Sequence, residues 1–387
     1  MDNQQNFTVS EGYEEPTVAS TLKETDKKCP SCDGTMDFDP TTGQLVCPYC
    51  GTTVAIEKEI PTSAEELSFY EATERGGCDW GREKKVVICK NCGAETVYDA
   101  LETAGECPYC GSNQVMEAQD ENTLAPGGIC PFSIGAEKAD ENFRLWLKKK
   151  WFCPSSVKKN AGRVVMNGIY LPYWTFDSMT DSTYSARYGI VHTRVVGSGK
   201  NRRTETYVVW HRTSGAYSMF FNDCLVSGTS RHEKSILSKI EPFNTEANVV
   251  YKPEYLAGFA AERYSVGLED AWGFAKTSIG NQLNQAITQE IRYRHRADRV
   301  SDLSVHTVYH GITYKYLMLP VWMSHYEYKK KQYHFMVNGQ TGKVGGKAPV
   351  SFWRVLIAIL LGLGLVSLVV LIALLGEGDA SLMIDLT

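Results

Sequence analysis

The chain opens with no export signal: MDNQQNFTVSEGYEEPTVAS has neither a basic start nor an apolar run, so nothing predicts secretion. It has no hydrophobic periodicity either, and residues 1–26 are expected to form a flexible acidic tail. A phosphate-binding loop is also missing. Gly197-Ser198-Gly199-Lys200 ends correctly, but Arg194 stands where the first glycine is required and Asn201 where Ser or Thr must follow the lysine. Gly342-Lys343 fails the same way, with Val337 and Val344 at those positions. Lacking that loop and a magnesium carboxylate motif, the chain is not expected to be an ATP-driven helicase. The histidines carry no metalloprotease pattern: His306 and His310 are four apart, but within a β-like run and with no Glu beside them.

Basic charge is scarce where cysteine is dense. Residues 1–117 hold 9 Lys/Arg against 22 Asp/Glu, whereas the remainder holds 31 against 23. Eight of the 12 cysteines fall in that acidic part as CxxC pairs: Cys29 and Cys32, Cys47 and Cys50, Cys89 and Cys92, Cys107 and Cys110. Without an export signal, zinc in a reducing compartment explains them better than disulfides. Fourteen residues separate the pairs in each set, and the second set repeats the first at a shift of 60. Two residues between cysteines form a tight turn that aims both sulfurs at one ion, and two such turns complete a tetrahedron. Glycines after the pairs (Gly34, Gly51, Gly93, Gly111) suit the positive φ that such turns require. Two four-cysteine zinc ribbons are therefore predicted, each holding one structural Zn2+. Four thiolates leave no open position to activate water, and metal binding supplies roughly 10–16 kcal/mol of folding free energy in comparable peptides.

Acidity bears on partners. Residues 27–117 carry 8 basic and 16 acidic side chains, a balance that repels polyanions and disfavours nucleic acid relative to protein. Val355 to Leu375 is a run of 21 residues without charge, about 31 Å as a helix and close to the ~30 Å thickness of a bilayer core. It predicts a transmembrane helix at 353–375. Lys343, Lys347 and Arg354 precede it and Glu377, Asp379 and Asp385 follow, which predicts a cytoplasmic N-terminal side and an external tail at 376–387.

Between these ends the pattern is mixed. Ala139, Phe143, Trp146 and Leu147 recur at helical spacing, as do Leu268, Trp272, Ala275, Ile279, Leu283, Ile287 and Ile291. Val164–Val226 and Val305–Val344 read as antiparallel strands and hairpins, with Asn338-Gly339 and Thr341-Gly342 as turn signals. Leu171-Pro172-Tyr173-Trp174 and Leu319-Pro320-Val321-Trp322 form a faint echo, suggesting two related units. Cys78, Cys130, Cys153 and Cys224 are most simply small buried hydrophobes. Arg292, Arg294, Arg296 and Arg299 with His295 mark a basic helix end.

The stretches CPSC…CPYCG, CKNCGAET…CPYCGS, PFSIGAEKA, WLKKKWFCP, NGIYLPYWTFD and NGQTGKVGGKAP, followed by a hydrophobic span, resemble a bacterial family. Its members are labelled TFIIB-type zinc-ribbon membrane proteins and sometimes primosomal helicase-like proteins. The resemblance implies membrane attachment and association with membrane-organising SPFH-domain proteins, and brings no established enzymatic activity. The expected fold is thus a flexible tail (1–26), zinc ribbon (27–58), connector (59–84), second ribbon (85–117), linker (118–128), an α+β body with antiparallel sheets (129–347) and one transmembrane helix. The expected function is a non-enzymatic scaffold on the cytoplasmic face of the cell membrane, in contact with the lipid bilayer and with proteins there. The alternative is a membrane-tethered nucleic-acid-binding protein.

Overall fold

Ile169 to Phe176 reads IYLPYWTF, and every one of these residues is buried. A strand covered on one face alternates, so an unbroken apolar run requires cover on both. The computed structural model describes residues 28–57, 62–70, 84–89, 95–99, 115–117, 126–160, 164–199, 202–262, 264–329 and 331–382; within 84–117 and 369–382 only the backbone path is described. Near the N-terminus, β1 (Asp37–Asp39), β2 (Gln44–Val46) and β3 (Thr53–Val54) form a small antiparallel sheet. The remaining strands join one large sheet. Short strands β4 (Leu67–Ser68), β5 (Lys84–Cys89), β6 (Glu95–Asp99), β7 (Val115–Glu117) and β8 (Gly128–Ile129) come first. Helix α1 (Ala136–Lys149) and the short α2 (Ser155–Asn160) follow, then the long strands β9 (Asn167–Val196) and β10 (Arg203–Ser227). After α3 (Lys234–Ile240), β11 (Val249–Val250), β12 (Ala260–Ala261) and α4 (Leu268–His295), the chain completes the sheet with β13 (Arg299–Tyr328), β14 (Lys331–Asn338) and β15 (Val344–Gly346). Helix α5 (Phe352–Leu382) is last. The body is mostly antiparallel sheet, with β9 at its centre between β10 and β13.

Two cores result. On one face Ile169, Leu171 and Tyr173 meet Leu317, Leu319, Val321 and the α3 residues Ile236, Leu237 and Ile240. On the other, Tyr170, Trp174 and Phe176 join α1 and α4. The predicted stripe of α4 is its buried face, from Ala271 and Trp272 to Ile291. In α1, Phe143 stacks on Phe335 with ring centroids 3.5 Å apart. Beyond Ser178 the sheet becomes an arm in which burial alternates, because α4 covers only one side.

The tetrapeptide echo has a geometric counterpart. Leu319 pairs directly with Leu171 across the β9–β13 ladder. The Trp174 indole donates to the Val266 carbonyl at 2.9 Å, and the Trp322 indole to the Ile134 carbonyl at 3.0 Å. Val266 and Ile134 each stand two residues before a helix, α4 and α1 respectively. The Pro172 carbonyl accepts from Gly228 N–H and the Pro320 carbonyl from Gly339 N–H, each at 2.8 Å. β8 runs parallel to β13, as β12 does to β9.

One expectation requires correction. The membrane-spanning helix at 353–375 is not upheld, and with it fall the single-pass cell-membrane location and the transmembrane part of the expected fold class. Among the described residues no helix is long and apolar enough to cross a membrane. The side chains of α5 are described from Phe352 to Leu368. The base of this helix is fastened to the body: Arg354 donates to the carbonyls of Trp151 and Cys153 at 2.7 and 2.8 Å. The failed phosphate-loop match has a structural counterpart. Gly197 and Gly199 take positive φ at the tip of the β9–β10 hairpin, so this glycine pair turns a hairpin and does not open a helix.

Replacing Trp174 or Trp322 with Phe removes one indole donor and strands a carbonyl at a helix start. Each variant should lose about 1–3 kcal/mol of unfolding free energy in urea; unchanged midpoints in both would show that these bonds do not hold the helices.

Candidate metal centre

Cys29, Cys32, Cys47 and Cys50 converge at the open end of the small N-terminal sheet, their sulfurs all within 4.8 Å of one another. Cys29 Sγ lies 3.4 Å from Cys50 Sγ, and Cys32 Sγ lies 3.5 Å from Cys47 Sγ. A disulfide would need ~2.05 Å, and these thiols are free. A tetrahedron with metal–sulfur bonds of ~2.3 Å has edges of about 3.8 Å. The donor set therefore fits one zinc-sized ion with small adjustment.

Local backbone explains the convergence. Cys29 N–H donates to Gly34 O at 2.8 Å and Asp33 N–H to Cys29 O at 2.9 Å, closing the first knuckle. Cys47 N–H to Thr52 O and Gly51 N–H to Cys47 O, both 2.9 Å, close the second. The predicted role of Gly51 holds, with φ at +75°. In the first knuckle the left-handed residue is Asp33, at +59°. Gly34 serves differently: a Cβ there would come within 2.6 Å of the Tyr49 ring.

The sulfurs are electrostatically uneven. Cys50 is held down to about 6, first by the Thr52 hydroxyl and then by the Thr52 N–H. Cys29 is lowered as well: burial opposes this, but the Ser31 and Cys32 amides outweigh it. Cys32 is pushed up to about 12, because the neighbouring Cys50 and Cys47 sulfurs overcome the lowering effect of the Gly34 amide. Four thiols sharing protons in this way are poised to exchange them for a cation. Thr52 carries no motif that sequence reasoning singles out. Its hydroxyl contacts Cys50 Sγ at 3.2 Å and donates to Ser31 Oγ at 3.0 Å.

This cluster is fastened to the body. Met36, Phe38 and Leu45 are buried in a core continuous with the large sheet. Phe38 N–H donates to Ala257 O at 3.1 Å, and its ring meets Tyr255 edge-on at 5.6 Å. Of the second predicted set, Cys92, Cys107 and Cys110 lie outside the described residues, as does Cys78. Cys89 ends β5, which pairs antiparallel with β6 and β7. One four-cysteine cluster is thus on view among the described residues. Cys130, Cys153 and Cys224 are buried. At the basic helix end, His295 stacks on Tyr188 at 4.1 Å and bonds Thr213 at 3.1 Å.

Comparison with known proteins places the chain. It is 30% identical over 328 residues to a Bacillus subtilis (strain 168) protein described as uncharacterized protein YdjG, covering 85% of this chain and 91% of that relative. The chain belongs to the YdjG family. A shorter match, 34% identical over 53 residues, covers 13% of this chain and 82% of a UPF0434 protein of Colwellia psychrerythraea (strain 34H). No family model matches, and no solved structure matches.

This YdjG-family chain has a second ionisable cluster that no local motif announces. Glu66, Asp177 and Asp223 bring carboxylate oxygens within 4.8 Å of one another, because β4 pairs with β13 so that Leu67 lies opposite Tyr314. Lys315, almost buried, bonds Glu66 and reaches Asp223 Oδ1 at 3.0 Å. Asp223 N–H donates to Asp177 Oδ1 at 2.6 Å. The ammonium already fills the place a cation would take, so the cluster is an ion-pair network joining β4 to the body. Burial, with Asp177 and Asp223 nearby, holds the Glu66 carboxyl above its ordinary value despite Lys315. Lys315 is raised too: burial opposes this, but Glu66 and Asp223 outweigh it.

Two outcomes are expected. Gly51→Ala should cost about 1 kcal/mol through backbone strain alone, since no atom lies within 4 Å of the added Cβ; thermal unfolding of the metal-loaded protein measures it. Glu66 keeps its proton to higher pH in the folded chain than in the unfolded one, whose ordinary value is 4.5. The native state then binds more protons in that window, and stability falls as pH rises through it. Urea midpoints between about pH 4 and pH 7 should decline more steeply in wild type than in Glu66→Gln; equal slopes would remove Glu66 from the linkage.

Proposed function

We propose that the chain is a non-enzymatic adaptor whose N-terminal region is built on two structural Zn2+ ions, one at Cys29, Cys32, Cys47 and Cys50, the other at Cys89, Cys92, Cys107 and Cys110. The observation that carries the reading is the closed donor set of the first cluster, where four sulfurs within 4.8 Å leave no coordination position for a substrate. The repeat of the same spacing at a shift of 60 supports the second ion. Zinc supplies folding free energy to a sheet whose strands are two or three residues long.

An adaptor reading suits the charge. Residues 27–117 carry twice as many acidic as basic side chains, which favours a protein partner over nucleic acid. The SPFH-domain class implied by the family resemblance is the first partner to test. No step of chemistry is assigned to the body, and the failed phosphate-loop pattern at Gly197–Lys200 argues against an ATP-driven motor.

Elemental analysis of reduced, purified protein should return about two zinc atoms per chain, falling to one in Cys47→Ser/Cys50→Ser and likewise in Cys89→Ser/Cys92→Ser. Affinity isolation with wild type and with Cys89→Ser/Cys92→Ser tests the adaptor role. Loss of a partner in the variant supports docking through the second ribbon, and identical recovery from both rules it out as the docking module.

A further inference from the structure

The arm formed by β9, β10 and β13 has an outer face that α4 does not cover, and one region of it is arranged unlike the rest. Arg187 and Arg212 are direct cross-strand partners. Directly opposite side chains on one sheet face have Cβ atoms roughly 4.5–5.5 Å apart, and like charges so placed repel. Both are exposed. Arg187 has a distant partner in Asp302, at 3.6 Å with both side chains solvated. Arg212 has no carboxylate partner among the described residues. One row along the arm, Ser185 lies opposite both Ser214 and Ser304. In the row on the other side, Trp210 lies over Gly189, where a Cβ would approach the ring within 3.1 Å, and Arg299 faces the same glycine from β13. The Arg187 guanidinium sits 5.6 Å from the Trp210 ring centre. A depression of about 540 Å³ is lined by Ser185, Arg187, Arg212, Ser214 and Asp302.

We propose that this depression binds a phosphate-type dianion between the guanidinium groups of Arg187 and Arg212. The chemistry selects that class. Each guanidinium presents a rigid fork of donors, and two such forks lining one depression are together satisfied by an anion with three or more acceptor oxygens. A single carboxylate offers two and saturates one fork. The Ser185 and Ser214 hydroxyls donate to the remaining oxygens. After Asp302, Arg187 and Arg212 leave one net positive charge in the lining, and an anion placed between them removes their mutual repulsion. Such an ion converts the opposed arginine pair from a repulsive contact into a bridged one. The site is independent of the cysteine cluster and of the adaptor reading.

Titration calorimetry of the purified full chain with inorganic phosphate, at constant low chloride, tests it. Wild type should bind one phosphate saturably, and Arg212→Ala should weaken binding at least about tenfold, the loss expected of a charge-assisted bidentate contact. Arg212→Lys, which keeps the charge without the fork, should fall between. Arg203→Ala, at the hairpin end where Arg203 pairs with Glu205 at 2.9 Å, should bind as wild type does. Because Arg212 is exposed and repelled in the free protein, Arg212→Ala should melt no lower than wild type without phosphate and should lose the rise that phosphate gives wild type. A parallel titration with a nucleoside monophosphate separates sources: tighter binding assigns a ring-bearing phosphate stacked on Trp210, and equal binding a free oxyanion. Absence of saturable phosphate binding to wild type, or undiminished binding to Arg212→Ala, overturns the proposal.

Discussion

Pairing of β9 with β13 is the contact on which the rest of the fold depends. It joins strands of 30 residues each, separated in sequence by more than 100 positions. At one end of this ladder both faces are buried and the two cores form; at the other, only α4 covers it and the strands continue as an exposed arm. Non-local pairing of this kind carries a large loop-closure cost, which only the apolar burial of the doubly covered segment can offset. The paired Leu171 and Leu319 sit at that segment, and the indoles of Trp174 and Trp322 tie the starts of α4 and α1 to it.

The cysteine cluster solves a different problem. Its sheet is too small to hold itself together by burial, yet Met36, Phe38 and Leu45 are nearly inaccessible. Two constraints act together: sulfurs gathered around an ion-sized centre close the knuckles, and Phe38 anchors the module against Tyr255 and Phe259. Lys315 with Glu66 and Asp223 adds a polar fastening where the chain leaves the cluster for the body. These contacts fix the four-cysteine module in one orientation on the large sheet, as the adaptor reading proposed above requires.

The arm adds a surface of opposite character. Acidic residues dominate the cysteine-bearing part of the chain, while arginines gather on the outer face of the strands. A partner that reads both would meet complementary potentials on one molecule. The opposed arginines on the exposed face of the arm are a place where strand register and charge disagree, and such places are where function is expected.

Much is legible in the residues themselves. CxxC spacing decides that paired sulfurs converge, because a turn of two residues admits few geometries, and the helical stripe from Trp272 to Ile291 decides which face of α4 is buried. The apolar run at 355–375 reads as a membrane span, a reading the described part of α5 does not uphold. The left-handed turn of the first knuckle falls on Asp33, since a short polar side chain tolerates that conformation, while Gly34 is needed for the approach of Tyr49. Groups that meet only through strand register are invisible in the chain. Glu66 stands nearly 250 positions before Lys315, and Arg187 faces Arg212 only because the hairpin pairs them. Local spacing specifies turns and helix faces because those interactions close within a few residues; which distant charges become neighbours is decided by the tertiary pairing that buries the most apolar surface.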